Sequence, residues 1–463
     1  MIPLTLAAIA QVSQGRLHRV PDANALVTAP ISFDSRDIAP GGLFACLKGR
    51  SLDGHDFAGQ AVTDGAIAVL ADRQVDAPAI VVRDVLDAMG QIAHAVAEEY
   101  TGTVIALTGS AGKPSTKDIL ENVLALDGPT VANARSFNNE IGFPVTVSRV
   151  EPTSRYLLLE MGARGKGHIA SLCQMVRPRI ATVLGIGSAH VGEFGSQQAI
   201  ADAKAEIVHT LPEHGVAVVN ADDALVAPMA RETMARVITF GTTDTCEVQA
   251  SDVRVCPDGH PTFVLRHADR EEIVALSHIY GRHNVTNALA AAATAIGAGI
   301  PFGRIVRGLE TAELSSGGRM EVSVRAHDGV TIINDAFNAS PESVLAALEA
   351  LADIAGAERR RVAILGEMAE LGDDAFDWHD KVAHKVVTTG VHRTIGVGGH
   401  HAQHMISTIR NSGLEATSAD LATGLAGHVD AQLQPGDVVL VKGANALGLE
   451  AVARALAAMT PPA

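Results

Sequence analysis

A series of short apolar runs in the middle of the chain constrains the fold most. These runs are TVIALTG, YLLLEMGA, IATVLGIG, GVAVVNADD and RVITFGTT, and each ends in small or polar residues. Helical stretches such as STKDILENVLAL and SQQAIADAKAEIVHTL lie between them. Buried parallel strands have this near-continuous apolar character and are joined by helices. The pattern therefore predicts βαβ units whose functional loops lie at the carboxyl ends of the strands.

The flanking sequence predicts further α/β structure on either side of this block. A chain of 463 residues is too long for one ordinary core. We predict an α/β protein of three domains: a small α/β N-terminal domain, a central P-loop-type parallel sheet with flanking helices, and a Rossmann-like C-terminal domain. Their predicted limits are 1–99, 100–314 and 315–463. The run SSGG at 315–318 is the expected hinge between the last two domains.

Composition excludes several classes of function. The net charge of −16 disfavours a coat for nucleic acid or an anionic membrane. One Trp and three Tyr leave little for stacking on single-stranded nucleic acid. The four cysteines form no CxxC pair, which favours reduced thiols in the cytoplasm. No run of 18 apolar residues occurs, and the N-terminus lacks the basic segment of a signal peptide, so we expect no membrane span.

The stretch VIALTGSAGKPSTKDIL joins one of the apolar runs to a helical pattern. Backbone N–H groups and the helix dipole at such a turn favour an anion, and here Gly109 and Gly112 allow close approach while Lys113 adds charge. The phosphate-loop motif is incomplete, because Pro114 stands where a serine or threonine would bind Mg²⁺. From this loop alone, a phosphate site and a glycine-rich turn that binds nothing both remain open.

Pro114 has two physical consequences. It lacks an N–H that could donate to a phosphate oxygen, and it lacks a hydroxyl for a metal ion. Proline fits the first turn of a helix, so we expect the helix to persist without the metal ligand. Ser115 or Thr116 could supply a hydroxyl, although each lies one or two positions further round the helix.

Two polar side chains follow other apolar runs. Glu160 ends LLLEMGA, and His190 lies in GIGSAHVGEFG. Since the carboxyl ends of parallel strands face one crevice, both are expected near the phosphate loop. A carboxylate is a common Mg²⁺ ligand, whereas a histidine is an unusual one. Taken alone, His190 is more typical of a structural histidine, and Lys204 in AIADAKAEIV of a solvated helix lysine.

In order along nearly the whole chain, the motifs resemble those of the Mur ligases, the ATP-dependent amide ligases of peptidoglycan precursor synthesis. The matching stretches are SFDSRDIAPGGLFACLKG, TGSAGKPSTK, FNNEIGFP, LEMGA, GSAHVGEFG, AKAEI, GRHNVTNALAA, GGRMEV, INDAFNASP and ILGEMAELGDD. No single motif is decisive, but their collinear set is highly specific. Within the family, the chain is most similar to the ligases that add D-alanyl-D-alanine to UDP-N-acetylmuramoyl-tripeptide.

The resemblance implies a role for each matched residue. It implies ATP binding by Gly109, Ser110, Gly112, Lys113, Ser115, Asn284, Asn287, Arg319 and Asp335. It implies substrate binding by Ser35, Arg36, Asn138, Asn139 and Asn338. It implies Mg²⁺ binding by Glu160, His190 and Lys204, and catalysis by Lys113, His190 and Lys204. In the family, the lysine that Lys204 matches is carbamoylated, which makes it an oxygen ligand for a second Mg²⁺.

The implied reaction joins a carboxylate to an amine through an acyl phosphate, with ADP and phosphate as products. The N-terminal domain would bind the UDP-substrate, the central domain ATP, and the C-terminal domain the incoming amine while it closes over the ATP site. The implied partners are the two small-molecule substrates, UDP-muramoyl tripeptide and D-Ala-D-Ala. The resemblance also implies a cytoplasmic monomer.

The chain departs from the family pattern at positions that touch nucleotide or substrate. Pro114 replaces the metal-binding threonine, Ser136 replaces an asparagine of GNxNN, and Phe337 replaces the usual tyrosine of YNAxP. VKGANALGLE lacks the Ser-Arg pair that usually follows its Lys-Gly. Besides ordinary divergence, two alternatives therefore remain open: a paralogue that serves a specialised-metabolite pathway, and a nucleotide-binding homologue with weakened catalysis.

Overall fold

The computed structural model describes residues 1–49, 51–134, 137–421 and 424–460. Its strands form three groups of sheets that follow one another along the chain, and we call the corresponding parts the N-terminal, central and C-terminal regions. Among the described helices, none combines the length and the apolar character needed to cross a bilayer.

The N-terminal region holds a two-stranded and a five-stranded sheet, the latter in the order β2-β7-β6-β5-β4. Its strands are β1 (Leu4–Thr5), β2 (Arg16–His18), β3 (Leu26–Val27), β4 (Ile31–Ser32), β5 (Leu43–Ala45), β6 (Ala68–Ala71) and β7 (Ala79–Val81). Its helices are α1 (Leu6–Val12), α2 (Ala58–Thr63) and α3 (Val85–Glu99). Thr5 caps the first turn of α1 by accepting from the N–H of Ala8.

The central region is built on a nine-stranded sheet in the order β16-β15-β14-β13-β12-β11-β8-β10-β9. Its strands are β8 (Thr103–Thr108), β9 (Thr130–Ala132), β10 (Tyr156–Glu160), β11 (Ile180–Val183), β12 (Val216–Asn220), β13 (Arg236–Gly241), β14 (Val248–Val255), β15 (Pro261–His267) and β16 (Arg270–Ala275). Its helices are α4 (Lys113–Ala125), α5 (Gly142–Val147), α6 (His168–Met175), α7 (Val191–Phe194), α8 (Gln197–His209), α9 (Asn284–Gly297) and α10 (Phe302–Glu310).

The apolar runs of the sequence form the parallel part of this sheet. β8 lies between β10 and β11 and pairs parallel with both, and β12, β13 and β14 continue the parallel order. Strands β14, β15 and β16 pair antiparallel. The predicted βαβ arrangement is therefore confirmed.

Both faces of the central sheet are covered. Along β10, Leu157 and Leu159 pack into one buried cluster while Tyr156 and Leu158 pack into the other. This alternation follows from the two-residue period of a strand. The first cluster also contains residues of α1 and α3, so the N-terminal region shares a core with the central sheet.

The C-terminal region holds a six-stranded sheet in the order β17-β18-β22-β19-β20-β21, parallel except at β17. Its strands are β17 (Glu321–Val324), β18 (Thr331–Asn334), β19 (Arg361–Gly366), β20 (Arg393–Val397), β21 (Glu415–Ala419) and β22 (Val438–Lys442). Its helices are α11 (Pro341–Ala355), α12 (Ala375–Thr388), α13 (His400–Asn411), α14 (Leu425–Asp430) and α15 (Leu449–Ala458). The predicted α/β class is thus confirmed along the chain.

Candidate active site

A cavity of about 900 Å³ lies where the carboxyl ends of the central strands meet the C-terminal region. All the site residues predicted from the sequence line this cavity except Ser35, Arg36 and Asn284. The register of the sheet explains the convergence, because Glu160 pairs with Leu107 and Val183 pairs with Thr108 at the same sheet edge. The side chains that follow these strand ends therefore face one crevice.

The glycine-rich loop runs from the end of β8 to the start of α4. Gly112 has φ +79°, and a Cβ atom there would lie 2.3 Å from Oδ1 of Asn287. Only glycine meets both demands, since it accepts the left-handed conformation and leaves room for the neighbouring amide. Lys113 folds back and donates from Nζ to the carbonyl of Gly109 at 2.7 Å. The loop is thus shaped for an anion at the helix N-terminus.

Pro114 lies in the first turn of α4, which begins at Lys113 as expected for a helix that tolerates this proline. Ser115 lines the cavity. Thr116 is fully buried, and its hydroxyl donates to Oδ1 of Asn287 at 3.3 Å. Ser115, together with Ser110 on the loop itself, therefore offers a hydroxyl to the cavity, whereas Thr116 does not.

Two lysines make the cavity floor basic. Burial lowers the pKa of Lys113, while the carboxylate of Glu160 acts in the opposite direction. Burial lowers the pKa of Lys204 to about 7, and the positive charge of Lys113 adds to the shift. Lys204 is 5% exposed and forms no ion pair within the described part of the chain. At neutral pH a large share of its amine is uncharged, which is the form that reacts with CO₂.

Glu160 ends β10 and is 2% exposed. Its Oε1 accepts from Nδ2 of Asn138 at 2.7 Å, and its other oxygen is buried without a hydrogen-bond partner among the residues described. A buried carboxylate oxygen with no donor is expensive unless a cation compensates it. The site therefore fits Mg²⁺, which prefers carboxylate oxygens.

His190 has φ +64° and is the N-cap residue of the short helix α7. Its Nδ1 forms an ion-pair contact with Oε2 of Glu370 from the C-terminal region and lies 3.9 Å from Oε2 of Glu193. One ligand atom from each of these three residues lies within 4.8 Å of the others. The backbone N–H of Gly192 also donates to the carbonyl of Glu370 at 3.1 Å. The His190 loop therefore joins the two regions.

The remaining asparagines of the predicted site have structural partners. Asn139 accepts at Oδ1 from the N–H of Gly142 at 3.1 Å and caps the entry to α5. Asn284 is fully buried behind the cavity and accepts from Nδ2 of Asn287 at 2.7 Å. Asn287 lines the cavity, so it alone of this pair can meet a ligand directly.

The C-terminal region contributes two of the charged groups predicted for the site, Arg319 and Asp335. The guanidinium of Arg319 lies 4.2 Å from the ring centre of Phe337, and its Nε is buried without a hydrogen-bond partner among the described residues. Asp335 forms an ion pair of 2.5 Å with Lys442, whose Nζ also donates to the carbonyl of Asn338 at 3.1 Å. Arg319 therefore has an N–H available for a ligand, while Asp335 is already neutralised.

Family models of known domains match the chain in three places. The Mur ligase family catalytic domain matches 29–97, the Mur ligase middle domain 107–295, and the Mur ligase glutamate ligase domain 318–445. UDP-N-acetylmuramoyl-tripeptide–D-alanyl-D-alanine ligase from Mycobacterium tuberculosis is 42% identical, covering 99% of this chain and 98% of the relative. The chain belongs to the Mur ligase family. The ligase of the same name from Escherichia coli is 33% identical over 98% of this chain and 99% of its own.

Solved Mur ligase structures share the fold. MurF from Acinetobacter baumannii is similar with a TM-score of 0.87 and 29% identity, covering 99% of both chains. MurF from Thermotoga maritima, solved in complex with ADP, gives a TM-score of 0.78 at 25% identity, covering 93% of this chain and 97% of that one. The expected resemblance to the Mur ligases is therefore confirmed at the level of sequence and of fold.

Two residues predicted for this Mur ligase lie away from the cavity. Ser35 begins the 3₁₀ helix Ser35–Asp37, and the exposed Arg36 is bound to Asp34 through Nε at 2.8 Å. The segment nonetheless approaches the central region, because the rings of Phe33 and Phe137 lie 5.7 Å apart. Ser136, one of the departures from the family pattern, lies outside the described residues.

Sequence reasoning missed five charged residues among the described residues that line the cavity of this Mur ligase: Glu140, Arg164, Asp223, Glu342 and Lys442. Asp223 accepts from the N–H of Ile186 at 2.7 Å and so holds the loop after β11. Lys442 ends the apolar strand β22, and that position was the available signal. Nothing in the local sequence marks Glu342, because its contact is with a loop more than a hundred residues away.

Proposed function

We propose that this Mur ligase joins D-alanyl-D-alanine to UDP-N-acetylmuramoyl-tripeptide in peptidoglycan precursor synthesis, with ATP converted to ADP and phosphate. One observation carries the proposal: ligases of that name match the chain over almost its full length, and the cavity brings together the charged groups of the expected ATP site. The relatives give no support to a paralogue of another pathway.

The chain's own residues suit transfer of a phosphoryl group to a carboxylate. Lys113 and the N-terminus of α4 would hold the β- and γ-phosphates, and the free N–H of Arg319 would reach them from the C-terminal region. Positioning and charge neutralisation supply most of the acceleration in such reactions. The contacts of the His190 loop with the C-terminal region would keep water from the acyl phosphate.

We infer a Mg²⁺ site at Glu160, completed by His190 and by carbamoylated Lys204, and two ions in all. The unpartnered oxygen of Glu160 and the lowered pKa of Lys204 support this assignment. Bound Mg²⁺ would neutralise charge on the transferring phosphoryl group. CO₂ would add to the neutral amine of Lys204, a proton would be released to solvent, and a carbamate oxygen would become available as a ligand.

The proposal also covers the domain limits, the location, the oligomeric state and the substrate contacts of the protein. We propose a cytoplasmic monomer with domain limits of 1–99, 100–314 and 315–463. In it, Ser35 and Arg36 bind the UDP-sugar, and Asn138, Asn139 and Asn338 bind the peptide substrates. Phe33 already contacts Phe137 of the central region, so closure of the cleft between the N-terminal and central regions would bring the neighbouring Arg36 towards the cavity.

A phosphate-release assay tests the proposed function. The protein is incubated with ATP, Mg²⁺ and UDP-N-acetylmuramoyl-tripeptide, with D-Ala-D-Ala or with other amino acids and dipeptides as acceptors. We expect release that depends on both the tripeptide and D-Ala-D-Ala. Release only with another acceptor would contradict the proposal in favour of a paralogue, and tight nucleotide binding without release would favour a non-catalytic homologue. Omission of bicarbonate from degassed buffer should lower the rate and its return should restore it, if Lys204 is carbamoylated.

A further inference from the structure

The carboxylate of Glu342 lies at the cavity, and the reaction described above gives it no role. This residue lies in the first turn of α11, after the N-cap Ser340, where the helix dipole favours a negative charge. Its Oε1 accepts from the backbone N–H of Ser188 in the central region at 2.7 Å. Its Oε2 is buried and has no hydrogen-bond partner in the part of the chain that the structure describes. One carboxylate oxygen therefore binds the loop, and the other is available to a ligand.

The close approach of this carboxylate requires a glycine opposite. A Cβ atom at Gly187 would lie 2.8 Å from Cδ of Glu342. Such a distance is too short for any larger residue unless the carboxylate moves. The loop that leads to His190 is thus built to accept Glu342 from the C-terminal region, and both Gly187 and Glu342 line the cavity.

Glu342 and Asp335 differ in whether a cationic side chain neutralises the carboxylate. Of the two carboxylates that the C-terminal region places at the cavity, Asp335 pairs with Lys442 at 2.5 Å. Glu342 forms no ion pair with any described residue. Glu342 is only half-buried as a residue, but its unpaired Oε2 is buried, and a ligand that carries a cation would give this oxygen a partner.

We propose that the free oxygen of Glu342 binds the α-ammonium of the incoming amine substrate. The assignment rests on the proposed function, in which the C-terminal region receives that substrate. The ammonium loses one proton to solvent before attack, and Glu342 orients the resulting amine towards the acyl phosphate formed over the central strands, from which phosphate leaves, while the other oxygen of Glu342 holds the loop. An amine that binds before the regions close would contact Glu342 but not the acyl phosphate over the central strands. Complete binding of the acceptor would therefore depend on closure.

The test uses Glu342→Gln, because the amide oxygen can still accept from Ser188 while the negative charge is lost. We expect the KM for D-Ala-D-Ala to rise about 10- to 100-fold, as for loss of a charged hydrogen bond. The KM values for ATP and UDP-tripeptide should stay within about twofold of wild type. Glu349→Gln is the matched control, because Glu349 lies exposed on the same helix and pairs with Lys385 outside the cavity.

A second readout separates recognition of the amine from positioning of the loop. Hydroxylamine is uncharged at neutral pH and intercepts acyl phosphates as hydroxamates. We expect Glu342→Gln to form hydroxamate from ATP and UDP-tripeptide at the wild-type rate. Loss of hydroxamate in the variant would show that Glu342 acts only through the loop, and a changed Mg²⁺ dependence with an unchanged KM for the dipeptide would identify its partner as the metal. Either result overturns the proposal. Failure of the proposed function would look different, because wild type itself would then form no D-Ala-D-Ala product, whether or not it formed hydroxamate.

Discussion

The hydroxyl of Thr116 donates to the side-chain carbonyl of Asn287 at 3.3 Å, and both side chains are buried. The same carbonyl lies against Gly112, where it occupies the space of a missing Cβ. This pair locks the start of α4 to α9 beneath the phosphate loop. Thr116 is consequently unavailable to a metal ion, and the absence of a hydroxyl at Pro114 cannot be offset from that position.

The first prediction concerns Pro114. We expect Pro114→Thr to raise turnover by about 10- to 100-fold, since loss of one electrostatic contact to the transition state costs on the order of 10²–10³ in rate and water can partly replace it. The measurement is phosphate release with saturating substrates. Equal rates for the two proteins would show that Ser115 or water already completes the site.

Pro114→Ala distinguishes the missing backbone N–H from the missing hydroxyl at this position. Alanine restores the backbone N–H without adding a hydroxyl. If the hydroxyl matters through the metal, the alanine variant should stay near the wild-type rate. A rate as high as that of the threonine variant would instead assign the whole effect to the N–H.

The second prediction concerns the buried amine of Lys204. Its pKa of about 7 in the folded protein lies below the ordinary value of 10.5. Below pH 7 the amine is charged in both states, and the folded state bears the full desolvation cost. Between pH 7 and 10.5 the folded amine is neutral while the unfolded one is still charged, so this cost falls as pH rises.

Lys204→Met should therefore stabilise the ligand-free protein most at low pH. We expect the free energy of unfolding to rise by about 1–3 kcal/mol at pH 6 and by clearly less at pH 9.5. Urea denaturation in CO₂-free buffer gives both values, and Lys166→Met, at an exposed position, is the control. A stabilisation that grows with pH would contradict the lowered pKa.

Much of the fold could be predicted because local pattern and global structure agree in this chain. The apolar runs became parallel strands since their length and uninterrupted character suit a sheet covered on both faces. Glycine and proline marked the turns for a stereochemical reason, as at Gly112. The order of strands in the nine-stranded sheet depends instead on contacts distant in sequence, and no local pattern gives it.

The candidate site shows the same division. Glu160, His190 and Lys113 lie at strand ends or helix starts, and their positions in the sequence indicated a shared crevice. Glu370 and Glu342 were not found, because each acts through a contact with a loop of another region. Asn284 matched a family motif, yet its side chain accepts a hydrogen bond from Asn287 and does not line the cavity.

The third prediction concerns the aromatic ring beneath Arg319. The ring of Phe337 lies 4.2 Å from the guanidinium, within the range of a cation–π contact worth about 0.5–2 kcal/mol. We expect Phe337→Ala to raise the KM for ATP about 3- to 30-fold by releasing the guanidinium. Phe337→Tyr keeps the ring and should change that KM by less than about twofold. An alanine variant with an unchanged KM would show that Arg319 does not depend on this support.

The last prediction concerns the junction at 315–318. Asp118 on α4 accepts from the hydroxyl of Ser315 at 3.0 Å and from the N–H of Ser316 at 2.9 Å. It also forms a buried ion pair of 2.6 Å with Lys117. The helix that follows the phosphate loop is therefore tied directly to the start of the C-terminal region.

Asp118→Asn should be costly, because it leaves the charge of Lys117 buried with only Glu121 at 3.4 Å to balance it. We expect a loss of about 2–4 kcal/mol in the free energy of unfolding. Ser315→Ala removes one hydrogen bond alone and should cost about 0.5–1.5 kcal/mol. Urea denaturation measures both losses. If the two substitutions proved equally mild, the ion pair with Lys117 would not stabilise this junction, and the hinge would be free to move independently of the phosphate loop.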